Sequence, residues 1–264
     1  MNINKELNLL NKKIVYSFTK FTTTDYQDEI SCIVWHISCN LLCSYCYNDN
    51  IVFSKQGYYS HNDILDFLKS RVGLLSAVVL SGGEATMHNL EPFCKEVKKL
   101  GFKIKLDTNG INTKIIKDLI SKNLIDFISL DFKAPKEKFK IVTQKSSYES
   151  MISTIKHLLS INFNFEVRTT VNADLLDFED INKIIEKLYR LGYNGIYYIQ
   201  NFLQTPTNIG NITQKKILEK RKGEAVAVFA NLVETYKQNP EANWYQIFQQ
   251  IDNLLKDIFI DKKI

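Results

Sequence analysis

The chain of 264 residues is long enough for one large α/β domain or two small ones, and its hydrophobic content of 45% can supply a substantial core. Its formal net charge of +5 is modest and its basic residues are dispersed, so we expect no nucleic-acid partner. No apolar run approaches the roughly 20 residues that span a bilayer, and residues 1–13 lack the apolar stretch of a signal peptide. We therefore expect a globular cytoplasmic protein with no membrane partner.

Apolar segments alternate with helical patterns along most of the chain. After a polar leader, the run Glu29–Ile37 is rich in β-forming residues and predicts a first strand. Such alternation predicts parallel βα units with right-handed crossovers. Five more strands are predicted at Ala77–Leu80, Phe102–Leu106, Ile125–Leu130, Phe165–Val171 and Gly195–Ile199, and helices at Ile64–Val72, Leu90–Leu100, Asn112–Asn123, Tyr148–Ser160 and Glu179–Leu191.

The last part of the chain has a different character. Residues 213–264 are predicted to be helical, with Lys-rich and Gln-rich faces and no further strand. We therefore predict an α/β domain over residues 1–211 and a helical extension over residues 212–264. Five apolar residues of the extension fall at helical spacing, which is more typical of a packing face than of a docking surface: Trp244, Phe248, Ile251, Leu255 and Ile258.

Three cysteines follow the first predicted strand at a C-x₃-C-x₂-C spacing: Cys39, Cys43 and Cys46. A structural zinc site uses four closed ligands, and two cysteines suit a disulfide or a redox pair. Three thiolates can instead hold a cubane iron–sulfur cluster in which one iron keeps no protein ligand. An iron without a protein ligand is a place where chemistry can occur.

Two simpler interpretations of these cysteines stay open. One is a zinc knuckle completed by His36 or Cys32, because C-x₂-C also occurs in zinc sites, and the other is a set of buried thiols. Cys32 and Cys94 lie in the apolar surroundings of a predicted strand and helix, so we interpret them as small buried hydrophobic residues.

Polar or glycine-rich motifs come directly after the second, third and fourth predicted strands. They are Ser81-Gly82-Gly83-Glu84, Asp107-Thr108-Asn109-Gly110 and Asp131-Phe132-Lys133-Ala134-Pro135. Each motif alone is compatible with an ordinary turn. Paired glycines let a backbone approach a ligand closely, and parallel α/β folds gather their sites at the carboxyl ends of strands. Convergence from consecutive strands favours a barrel over a doubly wound sheet.

The fifth predicted strand carries charged residues at alternate positions. Glu166, Arg168 and Thr170 are expected to share one face, since side chains alternate along a strand. The set could face a site or could form a salt-bridged interior.

The cysteine spacing resembles the cluster signature of the radical S-adenosylmethionine (SAM) enzymes. With Lys20–Asp25 before the first strand, the segments CNLLCSYCYN, SGGE, KIKLDTNG, LIDFISLDFKAP and FEVRTTV resemble the activating protein of the anaerobic ribonucleoside-triphosphate reductase, a glycyl-radical-enzyme activase. The resemblance runs from about Ile14 to Asn201. Ala85 stands where the family often has proline, Gln27-Asp28 replace a Pro-Gly pair, and Tyr47 stands where histidine is common.

This resemblance implies a partial (βα)₆ open parallel barrel over residues 1–211. It also implies a 4Fe–4S cluster held by Cys39, Cys43 and Cys46, whose fourth iron binds the amino and carboxylate groups of SAM. Reduction by the cluster would then cleave SAM to a 5′-deoxyadenosyl radical. In such enzymes the cofactor carries the chemistry and the protein positions it.

The resemblance also assigns the cofactor-binding residues. Gly82, Gly83 and Glu84 would meet the amino group of SAM. Asp107 and Lys133 would serve its amino and carboxylate ends, and Asn109 would shape the pocket. Tyr45, Asp131 and Arg168 complete the predicted cofactor-binding set.

The implied function is the generation of a glycyl radical on a partner, the anaerobic ribonucleoside-triphosphate reductase, with an electron from a low-potential donor such as flavodoxin or ferredoxin. Within enzymes, the alternative is a radical SAM enzyme acting on a small molecule, as in 7-carboxy-7-deazaguanine synthase, or on a peptide. Outside enzymes, the alternative is a zinc-binding or cluster-binding interaction module.

Overall fold

The computed structural model describes residues 3–214 and 226–227. A single 3₁₀ turn spans Ala85–Met87. The helices are α1 (Ile3–Leu10), α2 (Asp49–Phe53), α3 (His61–Lys69), α4 (Glu91–Lys99), α5 (Thr113–Ser121), α6 (Lys136–Thr143), α7 (Tyr148–Ser160) and α8 (Phe178–Arg190). The strands are β1 (Lys13–Thr22), β2 (Ser31–His36), β3 (Tyr59–Ser60), β4 (Ala77–Gly82), β5 (Lys103–Thr108), β6 (Phe127–Asp131), β7 (Phe165–Val171), β8 (Tyr197–Asn201) and β9 (Val226–Ala227).

The chain divides into two compact units. The first contains the described residues up to 42, with 48–130 and 147–165, and the second contains residues 43–47, 131–146 and the described residues from 166 onward. None of the helices within residues 3–214 is both long enough and apolar enough to cross a membrane.

The first unit is built on a sheet with the strand order β3-β1-β2-β4-β5-β6. Strands β2, β4, β5 and β6 run parallel, and β1 pairs antiparallel with β2 and β3. Many apolar residues of the parallel strands are fully buried, as expected for strands covered by helices. Examples are Val34, Val78, Leu80, Ile104 and Leu106.

The second unit contains β7 and β8, which pair in parallel from Val167 opposite Tyr197 to Val171 opposite Asn201. Helix α8 connects them, and its N-terminus is fixed by a reciprocal capping box between Asp177 and Asp180. The short strand β9 pairs antiparallel with β8.

All six strands predicted from the sequence are present, and α7 and β7 have the predicted bounds. Strand β1 was not predicted because the residues before Glu29 were interpreted as a polar leader, and the two-residue strand β3 was not predicted either. The alternating aromatic and β-branched residues of β1 favour a strand, and this propensity outweighs the interspersed polar residues.

The prediction of a helical extension without strands is wrong at one point. Val226–Ala227 form a strand, although no strand was expected after residue 212, and pairing with the edge of β8 explains its extended backbone. The rest of the extension, residues 215–225 and 228–264 with the apolar stripe from Trp244 to Ile258, lies outside the described residues.

Candidate functional site

The cysteine loop begins where β2 ends. Cys39 and Cys46 are partly exposed and Cys43 is buried, and none of the five cysteines is part of a disulfide. Cys39 belongs to the first unit, and Cys43 and Cys46 belong to the second. Within residues 3–214 and 226–227, no three His, Cys, Asp or Glu side chains are grouped as ligands of one metal ion. The three-cysteine ligand set therefore stays a prediction from the spacing.

The glycine pair at the end of β4 lies directly against the start of the cysteine loop. The amide of Gly83 donates to the His36 carbonyl at 2.9 Å, and the amide of Glu84 donates to the Ser38 carbonyl at 2.8 Å. A Cβ added at Gly82 would lie 2.2 Å from the His36 oxygen, and one at Gly83 would lie 2.1 Å from the Ser38 oxygen. Only glycine permits this backbone contact, which fixes the position at which Cys39 leaves β2.

Glu84 is a buried acceptor that ties two strand ends together. Its Oε1 accepts from the hydroxyl of Thr86 at 2.5 Å, from the amide of Thr86 at 3.2 Å and from the hydroxyl of Thr108 at 2.8 Å, while Oε2 accepts from the amide of Asn109 at 2.8 Å. Burial raises the pKa of Glu84 above its usual value, and these hydrogen bonds offset only part of that rise. Sequence analysis did not predict this bracing role.

Asn109 is brought close to Cys39. Its Nδ2 donates to Asn40 Oδ1 at 2.7 Å and lies 3.9 Å from Cys39 Sγ. The predicted site residues Cys39, Glu84 and Asn109 therefore lie together in the first unit. Asn40 is a member of this group that the sequence did not single out.

Asp107 forms an ion pair with a lysine of its own strand. Its carboxylate lies 3.5 Å from the ammonium group of Lys105, and both side chains are largely buried. Lys105 also donates to the backbone oxygen of Asp25. Lys105 could not be selected from its sequence position, because a lysine in a strand is usually exposed.

Asp131, Lys133 and Arg168 form a second group, in the second unit. Asp131 Oδ2 accepts from Lys133 Nζ at 2.9 Å, and Oδ1 accepts from Arg168 Nε at 3.1 Å. Burial alone would raise the pKa of Asp131, but the charges of Lys133 and Arg168 outweigh it and hold this pKa below its usual value. Burial alone would lower the pKa of Lys133, but the charge of Asp131 outweighs it, so Lys133 stays cationic.

Tyr45 lies beside this ion-paired group. Tyr45 is 6% exposed, and Lys133 Nζ lies 5.9 Å from its ring centroid, within the range of a cation–π contact. Burial raises the pKa of the Tyr45 hydroxyl, so this side chain is neutral. The second unit thus brings together one part of the predicted cofactor-binding set: Tyr45, Asp131, Lys133 and Arg168.

The predicted alternation along the fifth parallel strand is confirmed. Glu166, Arg168 and Thr170 are partly exposed, whereas the intervening Val167 and Thr169 are buried. The charged residues therefore share one face of β7, and Arg168 is held on that face by Asp131.

A pair of buried histidines lies beneath the glycine loop. His36 Nδ1 is 3.2 Å from the Ser81 carbonyl, and His36 Nε2 is 2.9 Å from His61 Nε2. A carbonyl only accepts, so Nδ1–H donates and Nε2 accepts from His61. Both nitrogens of His36 are occupied, which removes His36 as the fourth ligand of a zinc knuckle.

Cys32 and Cys94 are fully buried, as predicted. Burial raises the pKa of each thiol to about 12, so neither supplies a thiolate at neutral pH. Cys32 is therefore a poor candidate for a fourth zinc ligand as well.

The histidine pair predicts an acid-dependent loss of stability. Burial and the charge of His88 lower the pKa of His36 to about 3, and burial lowers that of His61 as well. Above pH 6.5 these histidines are neutral in both states, but below it the unfolded chain takes up protons that the folded chain does not. The slope approaches about 1.4 kcal/mol per pH unit for each group once the unfolded histidines are protonated, so the pair should remove about 3 kcal/mol of unfolding free energy between pH 6.5 and 5.

Urea denaturation of the metal-free protein at both pH values would measure this loss. The double variant His36→Leu/His61→Leu should lose much less stability over the same interval. The partly exposed His157 serves as the control, and His157→Gln should behave like the wild type. An equal pH dependence in the double variant would show that the pair does not cause the loss.

Comparison with known proteins gives a family match and similar proteins. Residues 33–188, more than half of the chain, match the family model described as the Radical SAM superfamily. A protein of Methanocaldococcus jannaschii named "Putative glycyl-radical enzyme activating enzyme" is 29% identical over 201 residues, which cover 72% of this chain and 80% of that protein.

Two further similarities are more limited. The 7-carboxy-7-deazaguanine synthase of a Synechocystis species is 49% identical over 35 residues, 13% of this chain and 17% of that enzyme. The structure of Streptococcus suis SuiB bound to the precursor peptide SuiA has a TM-score of 0.59 and 15% identity. The match covers 80% of this chain and 46% of SuiB, so the chain spans less than half of that protein, and the likeness concerns the fold alone.

Proposed function

Since the chain belongs to the radical SAM superfamily, we propose that it is an activating enzyme that places a glycyl radical on a partner enzyme. The single observation that carries this proposal is the 29% identity over 201 residues to the glycyl-radical enzyme activating enzyme of M. jannaschii. The motifs at the carboxyl ends of β2, β4, β5 and β6 resemble those of a glycyl-radical-enzyme activase, and they support the same conclusion.

Membership of the superfamily establishes the fold class and the cofactors. The predicted fold class, an open parallel α/β barrel of the radical SAM type, is confirmed. Enzymes of this superfamily use a 4Fe–4S cluster and SAM, so these are the cofactors of this chain. When bound, the cluster supplies the electron that reductively cleaves SAM.

We assign the cluster ligands to Cys39, Cys43 and Cys46. Their support is the C-x₃-C-x₂-C spacing and the backbone contact that fixes the start of the loop. The donor set fits the group, because three thiolates leave one iron for SAM.

We assign the carboxylate end of SAM to Lys133. This lysine stays cationic in a largely buried position, where a charge-assisted hydrogen bond is strong. One of its three donors is used by Asp131, and the others are available to a ligand oxygen. The remaining predicted contacts, from Gly82, Gly83, Glu84, Asp107 and Asn109, are proposed on the motif resemblance.

The Lys133 assignment predicts a loss of SAM affinity without a loss of iron. Removing one charge-assisted hydrogen bond in Lys133→Ala costs on the order of 1.5–3 kcal/mol, which corresponds to roughly a tenfold to hundredfold higher Kd. Equilibrium binding of SAM to the anaerobically reconstituted protein would measure it. Lys140→Ala, at an exposed lysine of α6, is the matched control and should bind SAM normally. Wild-type affinity in Lys133→Ala would exclude this contact.

We propose the anaerobic ribonucleoside-triphosphate reductase as the partner, a flavodoxin or ferredoxin as electron donor, and the cytoplasm as the location. The choice of partner rests on the motifs that resemble those of the activating protein of this reductase. The boundary near residue 211 between the barrel and its helical extension is part of the same proposal.

The proposal is tested by incubating the reduced enzyme with SAM and that reductase under anaerobic conditions. We expect a glycyl-radical signal in electron paramagnetic resonance (EPR) and release of 5′-deoxyadenosine. Replacing the radical glycine of the reductase by alanine should remove the signal. Release of 5′-deoxyadenosine with every glycyl-radical enzyme tried, but never a glycyl signal, would contradict the activase assignment.

A second candidate is the modification of a small molecule, as in 7-carboxy-7-deazaguanine synthase. The 49% identity over 35 residues favours it, but this segment covers only 13% of the chain. SAM consumption that depends on a pterin-like substrate and not on a protein would support this candidate instead.

A further inference from the structure

A continuous chain of side-chain hydrogen bonds runs through the loops that follow β2, β4 and β5. Asn109 Nδ2 donates to Asn40 Oδ1 at 2.7 Å, and Asn40 Nδ2 donates to Asn112 Oδ1 at 3.5 Å. Asn112 Nδ2 donates to Thr86 Oγ1 at 2.9 Å, and this hydroxyl donates to Glu84 Oε1 at 2.5 Å. Every link of the chain donates toward Glu84.

The direction of this chain is fixed at both ends. At one end, the Glu84 carboxylate accepts from backbone amides, which can only donate, and so it receives the hydroxyl proton of Thr86. At the other end, Asn109 Oδ1 accepts from the amide of Ile111 at 3.1 Å, which turns Nδ2 toward Asn40. Hydrogen bonds that all run in one direction polarise and strengthen one another.

The chain starts beside Cys39. A carboxamide nitrogen carries two hydrogens, and Asn109 Nδ2 uses one on Asn40. The same nitrogen lies 3.9 Å from Cys39 Sγ, and the amide of Leu41 lies 3.4 Å from that sulfur. The sulfur of the first cysteine is thus faced by two N–H donors, one of which is held in place by the chain.

We propose that Asn40, Asn112 and Thr86 are positioning residues that hold the Asn109 amide against Cys39 and thereby raise the reduction potential of the cluster. The inference rests on the proposed role of Cys39 as a cluster ligand. Reduction adds negative charge that spreads onto the cysteine sulfurs, and N–H donors to those sulfurs stabilise it. Loss of an oriented N–H donor should therefore lower the reduction potential of the cluster.

Thr86 allows a sharp test because it is fully buried and only its hydroxyl takes part in the chain. Thr86→Val keeps the shape and removes the hydroxyl, whereas Thr86→Ser keeps the hydroxyl. The measurement is an EPR-monitored redox titration of the reconstituted protein without SAM, together with its iron content. We expect full iron in both variants, a more negative midpoint potential in Thr86→Val and the wild-type potential in Thr86→Ser.

Asn112→Ala provides a second variant in case Thr86→Val does not fold. Asn112 is partly exposed and its side chain makes no capping bond to α5, so its replacement leaves the start of that helix without a lost cap. Asn112→Ala should also shift the midpoint potential of the cluster to a more negative value. A fully loaded Thr86→Val or Asn112→Ala protein at the wild-type potential would overturn the inference. A wild-type protein without a reducible cluster would overturn the proposed function, and this inference with it.

Discussion

Replacing any one of Cys39, Cys43 and Cys46 by alanine is expected to abolish assembly of the cluster. With three protein ligands, one iron is already left to SAM, and loss of one thiolate leaves two irons without protein ligands. Iron and acid-labile sulfide would be measured after anaerobic reconstitution, together with the visible absorption of the cluster. We expect each variant to retain almost no cluster.

Cys32→Ala and Cys94→Ala are the matched controls for these variants. Both residues are fully buried thiols whose raised pKa keeps them protonated, so their removal should leave the iron content unchanged. If either control lost its iron while a variant of the loop kept it, the assignment of the ligands would be wrong.

Gly83→Ala is expected to destabilise the first unit strongly. Its Cβ would lie 2.1 Å from the Ser38 oxygen and 2.7 Å from the Ser38 carbonyl carbon, so the backbone of one loop must move. Overpacking in a close-packed region typically costs about 1–3 kcal/mol, and the partner here is backbone that cannot change rotamer. Chemical denaturation of the metal-free protein would measure the loss.

Gly101→Ala is a control that distinguishes the steric clash expected at Gly83 from the strain of a non-glycine residue at positive φ. Gly101 has a φ of +89° but no atom within 4 Å of an added Cβ, so its substitution carries strain without a clash. We expect this control to cost about 1 kcal/mol, the strain of a non-glycine residue at positive φ. Equal losses in the two variants would show that the contact between the loops adds nothing.

Much of the fold could be predicted because the parallel strands and their helices have clear local patterns. The bounds of α7 and β7 follow from periodicity alone. Strand β1 was missed because polar residues are interspersed among its aromatic and β-branched residues, and its pairing with β2 shifts register between Val15 and Ser17 and again between Thr19 and Thr22. Such irregularities break the simple two-residue period by which strands are recognised.

Only those site residues that belong to recognisable sequence motifs could be predicted. Cys39, Glu84 and Asn109 were selected because each lies in a recognisable motif after a strand. Their connections were not predictable, because Asn40 and Asn112 are separated by 72 positions and only the folded chain brings them together. Lys105 was missed for a similar reason, since a buried lysine is recognisable only through its partners.

The backbone contact at Gly82 and Gly83 limits how this site could be engineered. Every other amino acid carries a β-carbon, so a library that randomises these two positions would consist almost entirely of non-functional clones. Diversity intended to change the chemistry of the loop is better placed where a side chain already reaches the surface. Met87, at the end of the same loop, is 45% exposed and offers such a position.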